Sequence, residues 1–199
     1  MSVSKKVERG QATRQHLVDT ATSLFTEQGF AGTSIEAVLL KSGVSRGALY
    51  HHFDGKEALF EAVLEAVEAE IAAATVAATR GIEDPVQALH VGADTFLKLA
   101  RTPKVRQIAL VDAPAVLGWQ KWREIDARHG FGLLRAGLEA AAARGRIAKD
   151  LAEPFAHILL ASLFEFALMV ARSDDGEATL KAARTALREL VDRLFARRD

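Results

Sequence analysis

Ser34-Ile35-Glu36-Ala37-Val38-Leu39-Leu40-Lys41-Ser42-Gly43-Val44-Ser45-Arg46-Gly47-Ala48-Leu49-Tyr50-His51-His52-Phe53 carries two short helical patterns on either side of a glycine turn. Ile35, Val38 and Leu39 mark the inward face of the first, and Leu49 and Phe53 that of the second. Thr33-Ser34-Ile35-Glu36 reads as a capping box, with the Thr33 hydroxyl on the Glu36 amide. Ser45 is placed to cap the second helix. Two short helices joined through Gly43 form a helix-turn-helix, a motif whose second helix lies in the DNA major groove. Burial of Leu49 and Phe53 turns Arg46, Gly47, Tyr50 and His51 outward. A guanidinium, a bare backbone, a phenol and an imidazole suit base edges and phosphates, where a plain solvated face would favour Glu and Lys.

The flanking sequence extends this head on both sides. From Ala12 to Gln28 the residues Leu17, Val18, Ala21, Leu24 and Phe25 share one helical face, and Gly29 supplies a stop. Asp54-Gly55-Lys56-Glu57 opens a longer helix with the stripe Leu59, Phe60, Val63, Leu64, Val67 and Ile71. Beyond Gly81, Asp84-Pro85 and Thr102-Pro103 each start a helix, and Pro114 is expected to break the second of them. A helix holding Trp119, Trp122 and Ile125 is expected to run on to Arg144. Two more are expected at about residues 153–172 and 175–197. No segment alternates as a strand would. The expected architecture is all-α with about nine helices: a head over residues 11–71, its helix-turn-helix at 34–53, then a helical ligand-binding and dimerisation domain over 82–199.

At this point the chain resembles the tetracycline-repressor-like (TetR) family. The resemblance is carried by Leu24-Phe25-Thr26-Glu27-Gln28-Gly29-Phe30, by Thr33-Ser34-Ile35, by Gly43 to Phe53, and by Lys56-Glu57-Ala58-Leu59. It spans roughly residues 11–71. Val38-Leu39-Leu40 and Lys41 depart from the family pattern, but they lie in the first helix of the motif rather than on the reading face. The resemblance implies phosphate contacts from Thr33 or Ser34, Tyr50 and Lys56. It places Ser45, Arg46, Gly47, Ala48 and His51 against the groove, Arg46 being suited to a bidentate guanine contact. It also implies a homodimer on double-stranded DNA with an inverted-repeat operator, most simply a repressor released by a small hydrophobic effector. An activator or a partner-responsive regulator of the same fold is the alternative.

Composition adds mainly exclusions. Lys plus Arg and Asp plus Glu both number 26, so the chain is formally neutral. Residues 1–56 carry two more basic than acidic side chains, seven against five, which is weak evidence for a polyanion partner. Cysteine is absent, which excludes disulfides and thiolate metal sites. With no apolar N-terminal stretch, and Glu165 interrupting the run from Ile158 to Val170, a cytoplasmic protein with no membrane span is expected, bacterial in type and nucleoid-associated when bound to DNA. No nucleophile motif, phosphate loop or metal-ligand pair accompanies Asp112, His129, His157 or Glu165, so neither an enzyme nor a cofactor is expected.

Two expectations concern the second domain. Ala156, Leu159, Leu160, Leu163 and Ala167, with Leu180, Ala183, Leu187, Leu190, Val191 and Leu194, offer more apolar surface than one packed face needs. With the resemblance, this surface reads as a dimer seam. Phe96, Trp119, Trp122 and Met169, with Asp112, His157 and Glu165 near them in sequence, are the candidate ligand-binding residues. Glu165, set between Phe164 and Phe166, is expected to be a buried carboxylate in need of a partner.

Overall fold

The computed structural model describes the backbone of residues 2–196 and the side chains of residues 7–196. Among them it contains nine α-helices, one π-helix and one short 3-10 turn, with no strand. The helices are α1 (Ser2–Gly32), α2 (Ile35–Ser42), α3 (Arg46–His52), α4 (Lys56–Thr79), α5 (Pro85–Leu99), α6 (Ala113–Arg128), α7 (Gly130–Ala143), α8 (Ala152–Arg172) and α9 (Gly176–Phe195). The π-helix Val105–Asp112 leads directly into α6. The all-α expectation and the helix count hold.

Why the head folds as it does follows from the apolar stripes. Leu17, Val18, Ala21, Leu24 and Phe25 of α1 are buried against Leu49, Leu59, Phe60, Val63 and Leu64. Phe25, Phe30 and Phe60 meet in one aromatic cluster, with ring centroids 5.2 to 5.8 Å apart. Helix α1 begins ten residues before the expected Ala12, because that first stretch is polar and carries no stripe to betray it. At its far end Gly29 has φ 70° and ψ 173°, a conformation essentially reserved for glycine, and the chain turns there towards α2. Gly43, at φ 67° and ψ 8°, makes the left-handed turn that lets α3 leave α2 sharply.

The capping box is corrected by one residue. Ser34, not Thr33, caps α2, its Oγ accepting from the Ala37 N–H at 3.1 Å. Helix α2 starts at Ile35, so Glu36 falls too early to reach back and pairs instead with Arg46 of α3 at 2.8 Å. Asp54 makes no cap either, since α4 starts from Gly55 without a side-chain hydrogen bond.

The head does not own its core. Its buried cluster continues into Val105, Ile108 and Ala109 of the π-helix and into Trp122 and Ile125 of α6. A second cluster joins α5, α7, α8 and α9. Pro114 does not break the chain, because it sits in the first turn of α6, where its missing N–H costs nothing. The bend falls at Gly118 (φ 75°, ψ 163°) instead. The helix expected to reach Arg144 is two, divided at His129 (φ −118°, ψ −88°). The expected last helix ended at Arg197, which lies outside the described residues; α9 closes at Phe195.

Helix α8 differs from expectation in another way. With its 3-10 lead-in it is long and apolar enough, by composition alone, to cross a membrane, yet only 33% of that window is buried within the chain. Leu159, Leu160, Leu163 and Ala167 face the core, and Leu187 and Val191 of α9 pack on them. Leu187 therefore belongs to the interior of one chain, not to a seam between two.

Candidate nucleic-acid interface and cavity

Helix α3 presents the face that its burial pattern requires. Leu49 is fully buried, while Ser45, Arg46, Gly47, Tyr50 and His51 are exposed and Ala48 is half-buried. Ser45 caps α3 by accepting from the Ala48 N–H at 3.2 Å. Arg46 donates to Glu36 across the motif at 2.8 Å, an exposed ion pair of small energetic weight. His16 of α1 holds the end of α2 through the Ser42 carbonyl at 3.0 Å, fixing the motif against its support.

Two expected phosphate ligands have other partners. Thr33 is 1% exposed and donates its hydroxyl to the Gly29 carbonyl at 2.9 Å, so it cannot reach a phosphate. Its neighbour Ser34 is exposed at the N-terminus of α2. The Lys56 ammonium donates to the carbonyls of Phe30 and Thr33, at 2.6 and 2.7 Å, and rests 4.1 Å above the Phe30 ring. It staples the α1–α2 link to the start of α4.

The same link is held from the other side by Asp112, which accepts from the Phe30 N–H at 2.8 Å. A side chain at Gly29 would close to 3.2 Å on Gln107, also from the π-helix. The α1–α2 link is therefore gripped from both sides, by Lys56 of α4 and by Asp112 of the π-helix. Sequence reasoning placed Asp112 in a ligand pocket; the geometry makes it a joint. Asp112→Ala should cost about 1–3 kcal/mol in chemical denaturation, because it leaves a half-buried amide without a partner.

A cavity of about 210 Å³ lies between α4, α5, α7 and α8, with Asp126 of α6 at its edge. Its walls are apolar apart from Glu68, Asp126 and two threonine hydroxyls. Of the seven residues singled out as ligand contacts, only Phe96 lines it. Trp122 is buried, with its indole N–H unpartnered and its ring 4.7 Å from Phe164, one layer behind the wall. Trp119 is 69% exposed: three residues along a helix leave a rotation of roughly 60°, enough to carry it outside. His157, Glu165 and Met169 share the outward face of α8, and His157 lies 4.6 Å from the Phe131 ring. Glu165 is exposed rather than buried, since its apolar neighbours in sequence point elsewhere around the helix.

Among the described residues the buried carboxylates are Glu68 and Asp126, at 4% and 2% exposure. Burial raises the Glu68 pKa to about 8, with the negative Asp126 and Glu65 adding to it. Burial also raises Asp126 to about 6, opposed by Arg123 and His129. Arg123 donates to Asp126 at 2.9 Å, whereas Glu68 has no side-chain hydrogen bond among the described residues. Outside the cavity Glu65 accepts from Arg128 and from His129, at 2.6 and 2.7 Å, tying the end of α6 to α4. The Glu65 carboxyl is held below its ordinary pKa chiefly by the Arg128 hydrogen bond. The sequence expectations omit Glu68, whose signal is its place in one stripe with Leu64 and Ile71.

Comparison with known proteins agrees with this arrangement. Residues 17–63 match the family model of bacterial regulatory proteins of the tetR family, and residues 86–194 match that of the tetracyclin repressor-like C-terminal domain. A TetR-family transcriptional regulator from Pectobacterium atrosepticum superposes with a TM-score of 0.82 at 30% identity, over 96% of this chain and 98% of that one. The transcriptional repressor NicS of Pseudomonas putida is 28% identical over 165 residues, 81% of this chain and 78% of its own. The transcriptional regulator AcrR of Shigella flexneri is 42% identical over 67 residues, 34% of this chain and only 31% of AcrR. The matches cover both the helix-turn-helix head and the helical domain holding the cavity, and the chain belongs to the tetR family of bacterial regulatory proteins, DNA-binding transcriptional regulators.

Proposed function

We propose that the chain is a dimeric repressor that holds an inverted-repeat operator through α3 and lets it go when a small apolar molecule fills the cavity. The observation that carries this reading is the double role of α4. Its first turn supplies Lys56, which fixes the link into the motif, and its later turns supply Glu68 and Ile71 to the cavity wall. A ligand that shifts α4 changes the spacing of two α3 helices in a dimer, and half-site spacing is what a major-groove reader must match. The Phe30–Asp112 joint gives the π-helix a second hold on the same segment.

The dimer is supported by the outward face of α8. Ile158 and Met169 are each 48% exposed, with Phe155, Phe166 and Leu168 half-buried around them. Ile158→Glu with Met169→Glu should yield folded monomers at micromolar concentration by analytical ultracentrifugation. A double variant that sediments as wild type would remove α8 from the interface.

On the DNA face, Arg46→Ala should lower preference at one base position in each half-site by about 1–3 kcal/mol, read by competition between duplexes. Ligand control is tested by the anisotropy of a labelled operator against a panel of small aromatic compounds. A releasing compound should lose its effect in Ala72→Leu, which adds bulk to the cavity wall. By linkage, DNA should weaken its binding by the same factor. Release that persists unchanged in that variant would place the effector elsewhere.

A further inference from the structure

Once Glu68 is ionised, the polar groups of the cavity wall are all acceptors. Glu68 and Asp126 bring carboxyl oxygens. Thr75 and Thr79 already donate their hydroxyl hydrogens to the Ile71 and Thr75 carbonyls, both at 2.9 Å, so lone pairs are what they have left to offer. Among the described residues no lysine, arginine or histidine lines the cavity. Arg123 reaches Asp126 without lining the space itself. Glu68, over nine-tenths buried and without a hydrogen bond among the described residues, is the one polar wall group with nothing to satisfy it. Such a group costs free energy until a donor arrives.

We propose that the effector is an apolar molecule carrying a protonated amine, and that Glu68, with Asp126 beside it, binds that ammonium. The proposal rests on the cavity being the effector site and adds the chemistry of the occupant. An anionic head group would face two carboxyls and no cation. A neutral alcohol would give an ionised Glu68 a hydrogen bond but bring no positive charge to the two carboxyls. An ammonium supplies the hydrogen bond and the missing positive charge together. The apolar walls and the volume of about 210 Å³ suit an arylalkyl body.

Cation binding also carries a pH signature. Below about pH 8 the free Glu68 is protonated, so an ammonium must displace its proton to the solvent. Affinity should therefore rise by up to about tenfold per pH unit from pH 6 to pH 8 and then level. The groups facing Glu68 are Asp126, with Arg123 and His129 behind it, and Glu65 with Arg128 on its own flank. Helices α5, α7 and α8 line the cavity without a titratable side chain. Of the neighbours with raised values, Asp126 titrates near pH 6, at the lower edge of the window.

The experiment compares three probes with one body, 4-phenylbutylammonium, 4-phenylbutan-1-ol and 4-phenylbutanoate, by isothermal titration calorimetry on the full chain at pH 6, 7 and 8.5. The ammonium should bind at least about tenfold tighter than either partner at pH 8.5, and release a proton at pH 7 in buffers of different ionisation enthalpy. In Glu68→Gln its advantage over the alcohol should fall to within about threefold, with an unchanged circular-dichroism spectrum showing the fold intact. Asp126→Asn should reduce the advantage less, because Arg123 already engages that carboxylate. If the alcohol or the carboxylate binds as well as the ammonium and is blocked by Ala72→Leu, the head-group inference is wrong and the effector cavity stands. If no probe binds, or binding ignores Ala72→Leu, both are overturned.

Discussion

Glu68→Gln should make the folded protein more stable by about 4–5 kcal/mol at pH 8.5, and by less than about 1 kcal/mol near pH 4.5. The sign follows from the direction of the shift. Burial, with Asp126 and Glu65 nearby, raises the Glu68 pKa from 4.5 to about 8 in the folded chain. A carboxyl whose folded value is raised leaves stability intact below its unfolded value. It takes stability away as pH climbs through the folded one. Glutamine has almost the same shape and no proton to lose, so the gap between variant and wild type should open between pH 4.5 and 8 and then hold. Asp126, raised to about 6, contributes a fall of the same sign at lower pH in both proteins. Urea titrations across that range, at fixed protein concentration, read the gap directly. A gap that stays constant with pH would mean that Glu68 is solvated and ionises as it does in the unfolded chain. A stability cost of this kind, accepted at a binding wall, is characteristic of functional residues.

The second large effect is expected from Lys56→Met. The family resemblance makes Lys56 a phosphate ligand, whose loss would lower the salt slope of DNA binding by about one ion and leave folding alone. In the free chain it instead donates to two carbonyls and covers the Phe30 ring. Charge-assisted hydrogen bonds are worth about 1.5–3 kcal/mol each, and partial exposure reduces that, so the loss should be about 2–3 kcal/mol in chemical denaturation. DNA affinity should fall for all sequences, because the link that sets the pose of α2 and α3 has lost its staple. A variant with wild-type stability and only a smaller salt slope would restore the phosphate role and remove the structural one.

What could be read from the sequence was what periodicity and turn chemistry encode. The α4 stripe from Leu59 to Ile71 is buried throughout, and Ser45 and Gly43 do what their side chains allow. The outward face of α3 followed from Leu49 being inside. Misreadings arose where a local pattern has two solutions. Thr33 and Ser34 are adjacent capping residues, and only tertiary contact decides that Thr33 turns inward. The helix expected to run on to Arg144 ends instead at His129, held by Glu65 from another helix. Glu165 was judged by its neighbours in sequence, although a helix turns neighbours to different sides. Glu68 carried the better signal, a carboxylate within an apolar stripe. The cavity itself could not be foreseen, because it lies between helices far apart in the chain.

The most direct test of the central claim, that α3 reads DNA sequence from a two-fold assembly, is selection of random duplexes by the purified protein followed by sequencing. The account predicts an enriched inverted repeat, with half-sites about one helical turn, or a multiple of it, apart. Arg46→Ala should lose preference at one symmetric pair of positions within it. Enrichment of no sequence, or of a single half-site equally bound by Arg46→Ala, would contradict it.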